Sequence, residues 1–159
     1  MVTHDPAEAM AMADRIAVLV DGEVVQFGTP EELWQRPNHP FVAATIADLQ
    51  PLKGRIEGTQ CVTAFGALPL RLLALTTDLA EGTSVPIGVR PSSLTVSLEG
   101  PCVVNDIRFL GDRYTLLISA DNQSLEVATA LKPKVTVGDK VSISFCLLYT
   151  SPSPRDKRL

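Results

Sequence analysis

The chain has 159 residues, of which 45% are hydrophobic and 20% charged, and its formal net charge at pH 7 is −4. This composition is typical of a soluble globular protein and argues against a disordered chain or one that coats nucleic acid. No apolar run approaches the roughly 20 residues that cross a bilayer, and the N-terminus lacks the pattern of a signal peptide.

The cysteines and histidines do not form a metal-binding pattern. Cys61, Cys102 and Cys146 are an odd number without metal-ligand spacing, and His4 and His39 are the only histidines. We therefore expect no metal site, and three buried thiols in a reducing compartment.

The first structural signal is a helix start that follows a histidine. Asp5 suits the N-cap, Pro6 the first helical position, and Glu8 the place from which a capping-box carboxylate reaches back. These residues predict a helix that begins at Pro6. His4 then lies between an apolar Val2, which can end a strand, and the helix, where α/β proteins often gather ligand-binding groups. Its imidazole either contacts a phosphate or a water, or only hydrogen-bonds the backbone.

A β-hairpin and two short helices are expected next. The apolar run Arg15 to Val20, the turn Asp21-Gly22 and the run Glu23 to Gly28 predict the hairpin. Thr29-Pro30 with Glu32 repeats the helix-start chemistry, and a second helix is expected from Phe41 to Ala47 after a turn that contains His39. The apolar faces of these helices either dock a partner or, more simply, pack on the chain's own N-terminal part.

These elements occur in an order that carries a resemblance. The chain resembles the C-terminal part of ATP-binding-cassette (ABC) transporter ATPases through Val2 to Ala9, Met12 to Leu19, Asp21 to Gln26, Gly28 to Leu33 and Pro40 to Ala43. In that family the histidine of the Thr-His-Asp segment contacts the γ-phosphate of ATP, and His4 matches it. The resemblance thus implies that His4 is the catalytic and cofactor-binding residue, with ATP and Mg²⁺ as cofactors of the full-length protein.

Other motifs of that family are not found in the sequence. It contains no Gly-x-x-x-x-Gly-Lys-Ser/Thr phosphate loop, no Leu-Ser-Gly-Gly-Gln signature and no apolar strand that ends in Asp-Glu before His4. We therefore expect a chain truncated at its N-terminus that hydrolyses no ATP and binds no metal by itself, although the full-length parent would be an ATPase.

The composition changes at Asp48 to Pro51, and limited proteolysis is expected to cut between Leu49 and Lys53. Beyond this point turn signals separate short β-rich runs, which favour a small barrel or sandwich: Gly54–Gly58, Gln60–Phe65, Val85–Arg90, Leu94–Leu98, Cys102–Phe109, Tyr114–Ser119, Ser124–Ala130 and Val141–Phe145. The predicted core consists of Ile56, Val62, Ile87, Val89, Val103, Ile107, Leu116, Ile118, Val127, Val141 and Ile143.

The β-rich part resembles the regulatory domain, called TOBE, that follows the ATPase domain of some importers. The resemblance rests mainly on Gly88-Val89-Arg90-Pro91 and Phe109-Leu110-Gly111, and it implies an oligonucleotide/oligosaccharide-binding (OB) type barrel. Arg90 either binds an anion or lies along the rim of the barrel. Phe65 and Phe109 are stacking platforms for a nucleic acid or, as the negative net charge favours, core or rim residues.

We thus expect an α+β chain in three parts. Residues 1–49 are the C-terminal end of a P-loop ATPase domain with a helix, a β-hairpin and short helices, and residues 50–145 are the OB-like TOBE barrel. Residues 146–159 are expected to be a disordered tail, which resembles a translated sequencing adaptor.

The resemblance implies the ATP-hydrolysing subunit of an importer for a small solute. Its expected partners are a second ATPase subunit in a homodimer and the transmembrane permease subunits, with no nucleic acid and no direct membrane insertion. The expected location is cytoplasmic, on the inner face of the cell membrane. The alternative is an autonomous ligand-binding or dimerising OB-like β-barrel module without catalysis.

Overall fold

The computed structural model describes residues 2–73, 79–146 and 151–152. The N-terminal part contains three short helices and one hairpin: α1 (Pro6–Met12), β1 (Ile16–Val20), β2 (Glu23–Gly28), α2 (Pro30–Gln35) and α3 (Pro40–Thr45). The described remainder is mostly strand: β3 (Gln50–Glu57), β4 (Gln60–Thr63), β5 (Gly66–Pro69), β6 (Ser84–Val89), β7 (Leu94–Phe109), β8 (Tyr114–Ala120), β9 (Gln123–Thr129), β10 (Lys140–Phe145) and β11 (Ser151–Pro152).

The N-terminal helix begins where the sequence predicts, with one difference at its cap. The Asp5 carboxylate accepts hydrogen bonds from the backbone N–H groups of Ala7 at 2.8 Å and Glu8 at 3.3 Å. Glu8 does not close a capping box, because the Asp5 N–H donates to the Thr3 hydroxyl oxygen at 3.1 Å instead. The Thr3 hydroxyl in turn donates to the Glu8 carboxylate, so that threonine links the two groups.

The predicted start of α2 is confirmed, whereas α3 begins at Pro40, one residue before the predicted Phe41, and ends at Thr45 and not at Ala47. In α2 the Thr29 N–H donates to the Glu32 carboxylate at 2.9 Å, and the Glu32 N–H donates to the Thr29 hydroxyl oxygen at 3.2 Å. This reciprocal pair is a complete capping box. His39 caps α3, since its Nδ1 accepts from the Phe41 N–H at 3.1 Å.

The strands form three antiparallel sheets. The first is the predicted hairpin β1–β2, whose turn residues Asp21 and Gly22 both have positive φ, 51° and 82°, as a tight two-residue turn requires. The second sheet has the order β10-β7-β8-β9, and the third has the order β11-β6-β3-β4-β5. Asp121 and Asn122, with φ of 45° and 60°, form the predicted hairpin tip between β8 and β9.

Strand β7 joins two predicted strands into one. The sequence predicts a break at Glu99-Gly100-Pro101, but the strand continues through it with a positive φ of 68° at Glu99 and a register shift against β10. The irregular residues bend the strand without ending it, which is the usual effect of a β-bulge.

The two larger sheets enclose one hydrophobic core. The described part of the chain is mostly β-sheet with a few short helices. Among the described residues the backbone pairing leaves them as two separate sheets and does not close a barrel. Within the same residues no helix has the length and apolar character needed to cross a membrane.

The predicted core is largely correct, with errors of strand face. The confirmed buried residues are Ile56, Ile87, Val89, Leu116, Ile118, Val127, Val141 and Ile143. The assignment of Val62 and Val103 to the core is wrong, since both are only half-buried. The neighbouring Cys61 and Cys102 are fully buried instead, because successive strand residues point to opposite faces of a sheet. Ile107 is only partly buried against this core.

The N-terminal helices pack on the chain itself. Leu33 of α2 and Val42 of α3 are fully buried, and they share a cluster with Ile16 and Val18 of the hairpin and with Ile46. The simpler of the two sequence interpretations of the helical faces is therefore confirmed.

The junction between the N-terminal part and the sheets is not an open linker. Leu49 is buried and its N–H donates to the Ala43 carbonyl at 2.8 Å. Strand β3 begins one residue later and pairs with β6, including Gln50 with Val89 and Lys53 with Pro86. The structure contradicts the reason for expecting proteolysis between Leu49 and Lys53. This segment is the start of a paired strand and not a free connection between two parts.

The predicted tail is described only in part. Ser151 and Pro152 pair with Gly88 and Ile87 of β6, and Cys146 donates its N–H to the Ser93 carbonyl at 2.7 Å. Positions 147–150 and 153–159 lie outside the described residues.

Candidate functional site

His4 lies directly before α1, in the loop that Thr3 and Asp5 shape. Its side chain is exposed, whereas the Asp5 carboxylate is occupied with the two N–H groups of the helix start. Asp5 is therefore a cap in this structure, and His4 is the group of this loop that remains available to an incoming ligand.

The residues present do not fit a complete site for ATP and Mg²⁺. A triphosphate is held by a glycine-rich backbone cradle and a lysine, and its metal ion by hydroxyl and carboxylate oxygens. Within the described residues no cluster of three His, Cys, Asp or Glu side chains is arranged to hold a metal ion. His4 offers one contact, so no catalytic step can be derived from this chain alone.

Arg90 lies in the interior, where neither sequence interpretation placed it. It is 3% exposed, its Nε donates to the Ala47 carbonyl at 2.9 Å, and its Nη2 donates to the Trp34 carbonyl. The guanidinium carbon also lies 4.6 Å from the centroid of the Trp34 ring. Arg90 therefore joins the end of β6 to the N-terminal helices. Both sequence interpretations of Arg90, as an anion ligand and as a residue along the rim, are wrong.

The two aromatic candidates differ from each other. Phe65 is 3% exposed and belongs to the core, whereas Phe109 is 61% exposed at the end of β7. The Phe109 ring lies 4.8 Å from that of Tyr114, centroid to centroid. The exposed Phe109 and the half-buried Tyr114 thus form an aromatic pair at the β7–β8 turn.

A cleft of about 410 Å³ lies beside the Arg90 contact. Residues of both parts line it, among them Trp34, Asp48, Arg113 and Glu126. Although Asp48 is exposed as a residue, partial desolvation raises the pKa of its carboxyl; the Arg113 guanidinium opposes this shift and Glu126 adds to it. The cleft therefore combines an aromatic ring with charges of both signs.

The cysteines depart from the expectation of three buried thiols. Cys61 and Cys102 are buried, whereas Cys146 is exposed at the end of β10. Burial raises the pKa of the Cys61 thiol, and burial together with the nearby Asp121 carboxylate raises that of Cys102. Both buried thiols are therefore poor nucleophiles, because the reactive species is the thiolate.

We expect Ellman's reagent to modify one thiol of the native chain, Cys146, and all three only after unfolding. The Cys146→Ser variant should lose the reaction of the native chain and keep the reaction of two thiols after unfolding. Rapid modification of two or three thiols in the native chain would contradict the burial of Cys61 and Cys102.

Known proteins that are similar in sequence to this chain include import ATP-binding proteins. No protein-family model matches the chain. It is 34% identical over 148 residues to the "Fe(3+) ions import ATP-binding protein FbpC" of Streptomyces coelicolor, a match that covers 91% of this chain and 41% of the relative. It is 38% identical over 135 residues to the "Spermidine/putrescine import ATP-binding protein PotA" of Acidothermus cellulolyticus, with 77% of this chain and 35% of the relative covered.

A third relative is the FbpC protein of Photobacterium profundum, 32% identical over 128 residues, with 78% of this chain and 36% of the relative covered. The chain thus spans well under half the length of these relatives, while most of its own length is matched. Most of the chain is therefore similar to the C-terminal part of the ATP-binding subunits of ABC importers.

Proposed function

We propose that this chain acts within an ATP-hydrolysing subunit of an ABC importer, where His4 contacts the γ-phosphate of ATP. The observation that carries this proposal is the similarity of most of the chain to import ATP-binding proteins. The exposed imidazole of His4, placed at a capped helix start, agrees with it. ATP and Mg²⁺ would supply the phosphoryl chemistry, and the chain's own contribution is one positioned hydrogen-bonding group.

The organisation into parts is proposed with the function. Residues 1–49 correspond to the end of an ATPase domain, and residues 50–145 to a regulatory domain of the TOBE type with an OB-like arrangement of strands. The start of β3 at Gln50 and the separate hydrophobic clusters on either side support this division. The proposed partners are permease subunits and a second ATPase subunit, at the cytoplasmic face of the membrane, and not nucleic acid.

His4→Ala, made in the subunit encoded by the full reading frame, tests the proposal. We expect kcat for ATP hydrolysis to fall about 100-fold or more, because one preorganised contact to a transition state contributes that much. The Kd for ATP should change little, since other groups hold the nucleotide. Both parameters are measured by steady-state turnover and by nucleotide titration.

The second histidine provides a matched control. His39 caps α3 and lies outside the proposed site, so His39→Ala should keep kcat and cost about 1 kcal/mol of stability. Unchanged turnover in His4→Ala, or equal losses of turnover in the two variants, would reject the role of His4.

The second candidate is a ligand-binding or dimerising β-module without catalysis. The specific observation in its favour is the cleft of about 410 Å³, whose lining includes Trp34, Asp48 and Arg113 and does not include His4. The upstream reading frame separates the two candidates. A phosphate-loop motif in frame supports the ATPase subunit, whereas a stop codon and a ribosome-binding site directly before Met1 support the module.

A further inference from the structure

The N-terminal part and the sheets meet at one buried arginine. Arg90 directly follows β6, yet the two hydrogen bonds described for its guanidinium end on the N-terminal part, at the carbonyls of Trp34 and Ala47. Trp34 lies in the last turn of α2, and Ala47 follows α3 by two residues. One side chain of the sheets thus contacts both helical segments.

Burial makes these contacts strong. A guanidinium removed from water is costly unless its N–H groups are paired, and here two backbone carbonyls supply the acceptors, one in the last turn of α2 and one just beyond α3. Such carbonyls carry partial negative charge, which favours a nearby cation. The Trp34 ring adds a cation–π contact at 4.6 Å from the guanidinium carbon. Separation of the two parts would expose or unpair all of these groups together.

Two further contacts join the same two parts of the chain. Leu49 packs against Gly88 of β6 so closely that a Cβ at Gly88 would lie 3.3 Å from the Leu49 Cδ1 atom. The Gln50 side chain accepts from the Glu126 N–H at 2.8 Å and donates to the Glu126 carbonyl at 2.6 Å, which ties the start of β3 to β9. The segment Asp48 to Pro51, where the composition changes, is therefore held by contacts with the sheets.

We propose that Arg90 locks the N-terminal part to the sheets as one rigid body, so that the segment carrying His4 and the sheets reorient together. In an ATPase subunit, a movement at the nucleotide would then pass directly to the regulatory domain. That consequence rests on the proposed function, whereas the lock itself does not.

Trp34 provides the probe, because it is the only tryptophan of the chain. In the 159-residue chain, acrylamide quenching and the emission of Trp34 report on the α2 side of the contact. Far-UV circular dichroism, which the sheets dominate, reports on the other side. Urea unfolding followed by both signals shows whether the two parts unfold together.

The variants are Arg90→Ala, Arg90→Lys and the control Arg55→Ala, which removes an exposed arginine of β3. In the wild type and the control we expect the two unfolding curves to coincide. In Arg90→Ala the Trp34 curve should shift to lower urea than the circular dichroism curve, and the quenching constant should rise roughly twofold, because one ring face loses its cation. Arg90→Lys should restore little of either property, since an ammonium lacks the planar fork and the stacking surface.

Coincident curves with unchanged Trp34 quenching in Arg90→Ala would overturn the proposal, and so would full rescue by lysine. If Arg90→Ala does not fold, Arg90→Lys decides by the same two readouts: separated curves support the lock, and wild-type behaviour rejects it. None of these measurements uses ATP, so failure of the proposed ATPase role leaves their outcome interpretable.

Discussion

Gly100→Ala is expected to lower the free energy of unfolding by about 3 kcal/mol or more, at the upper end of the usual cost of overpacking. Gly100 lies in the irregular part of β7, against β10. A Cβ at this position would lie 2.4 Å from the Val141 carbonyl oxygen and 2.5 Å from the Ser142 nitrogen. Both are backbone atoms of a paired strand, so no side-chain rotation relieves the overlap. Chemical denaturation measures the loss.

Gly111→Ala is the matched control for this substitution. Gly111 has a positive φ of 98°, but nothing lies within 4 Å of the Cβ that alanine would add. This change should cost about 1 to 2 kcal/mol, because an L side chain disfavours a positive φ even where its Cβ meets no other atom. Equal destabilisation by the two substitutions would show that β7 does not approach β10 as closely as described.

Leu116→Ala is expected to have the second large effect, a loss of about 2 to 5 kcal/mol, because a buried leucine leaves a cavity that its neighbours fill only in part. Leu116 is 1% exposed in β8, where it pairs with Ile107 and Val127 and belongs to the core between the two sheets. Thermal or urea unfolding of the variant measures this loss.

Leu131→Ala makes the same chemical change at a surface site, where leucine is 79% exposed. It should alter stability by no more than about 0.5 kcal/mol. A small loss for Leu116→Ala, or similar losses for both variants, would argue against the shared core and for sheets that pack independently.

The parts of the fold that follow from local chemistry were predictable from sequence. Thr29, Pro30 and Glu32 specify a helix start through backbone hydrogen bonds of their own segment, and the structure has those bonds. Asp21-Gly22 likewise specifies a tight turn, because both positions need a positive φ that aspartate and glycine tolerate. Such signals act within a few residues and do not depend on the rest of the fold.

The strand faces and the junction depended on distant partners. Cys61 and Val62 are both apolar, so hydrophobicity alone does not tell which of them faces the core, and only the pairing with β3 and β5 decides. Arg90 was misplaced for a related reason. Its acceptors, at Trp34 and Ala47, are backbone carbonyls 56 and 43 residues earlier in the chain, and no side-chain type marks them.

The candidate site was predictable only through its ordered motifs. His4 on its own is one exposed histidine before a seven-residue helix, and its environment in the structure does not specify a phosphate contact. The motifs after it indicated the family, which the relatives then confirmed. The residues that would complete a nucleotide site have no counterpart within the chain.

The most direct test of whether this chain can function as the C-terminal part of an importer ATPase is a chimeric protein. The chain would replace the matching C-terminal part of the Streptomyces coelicolor FbpC protein, to which it is 34% identical. We predict that the chimera hydrolyses ATP well above the level of the same protein without its C-terminal part, and that His4→Ala removes this gain while ATP still binds. A folded, ATP-binding chimera that is no more active than the shortened protein would contradict the account.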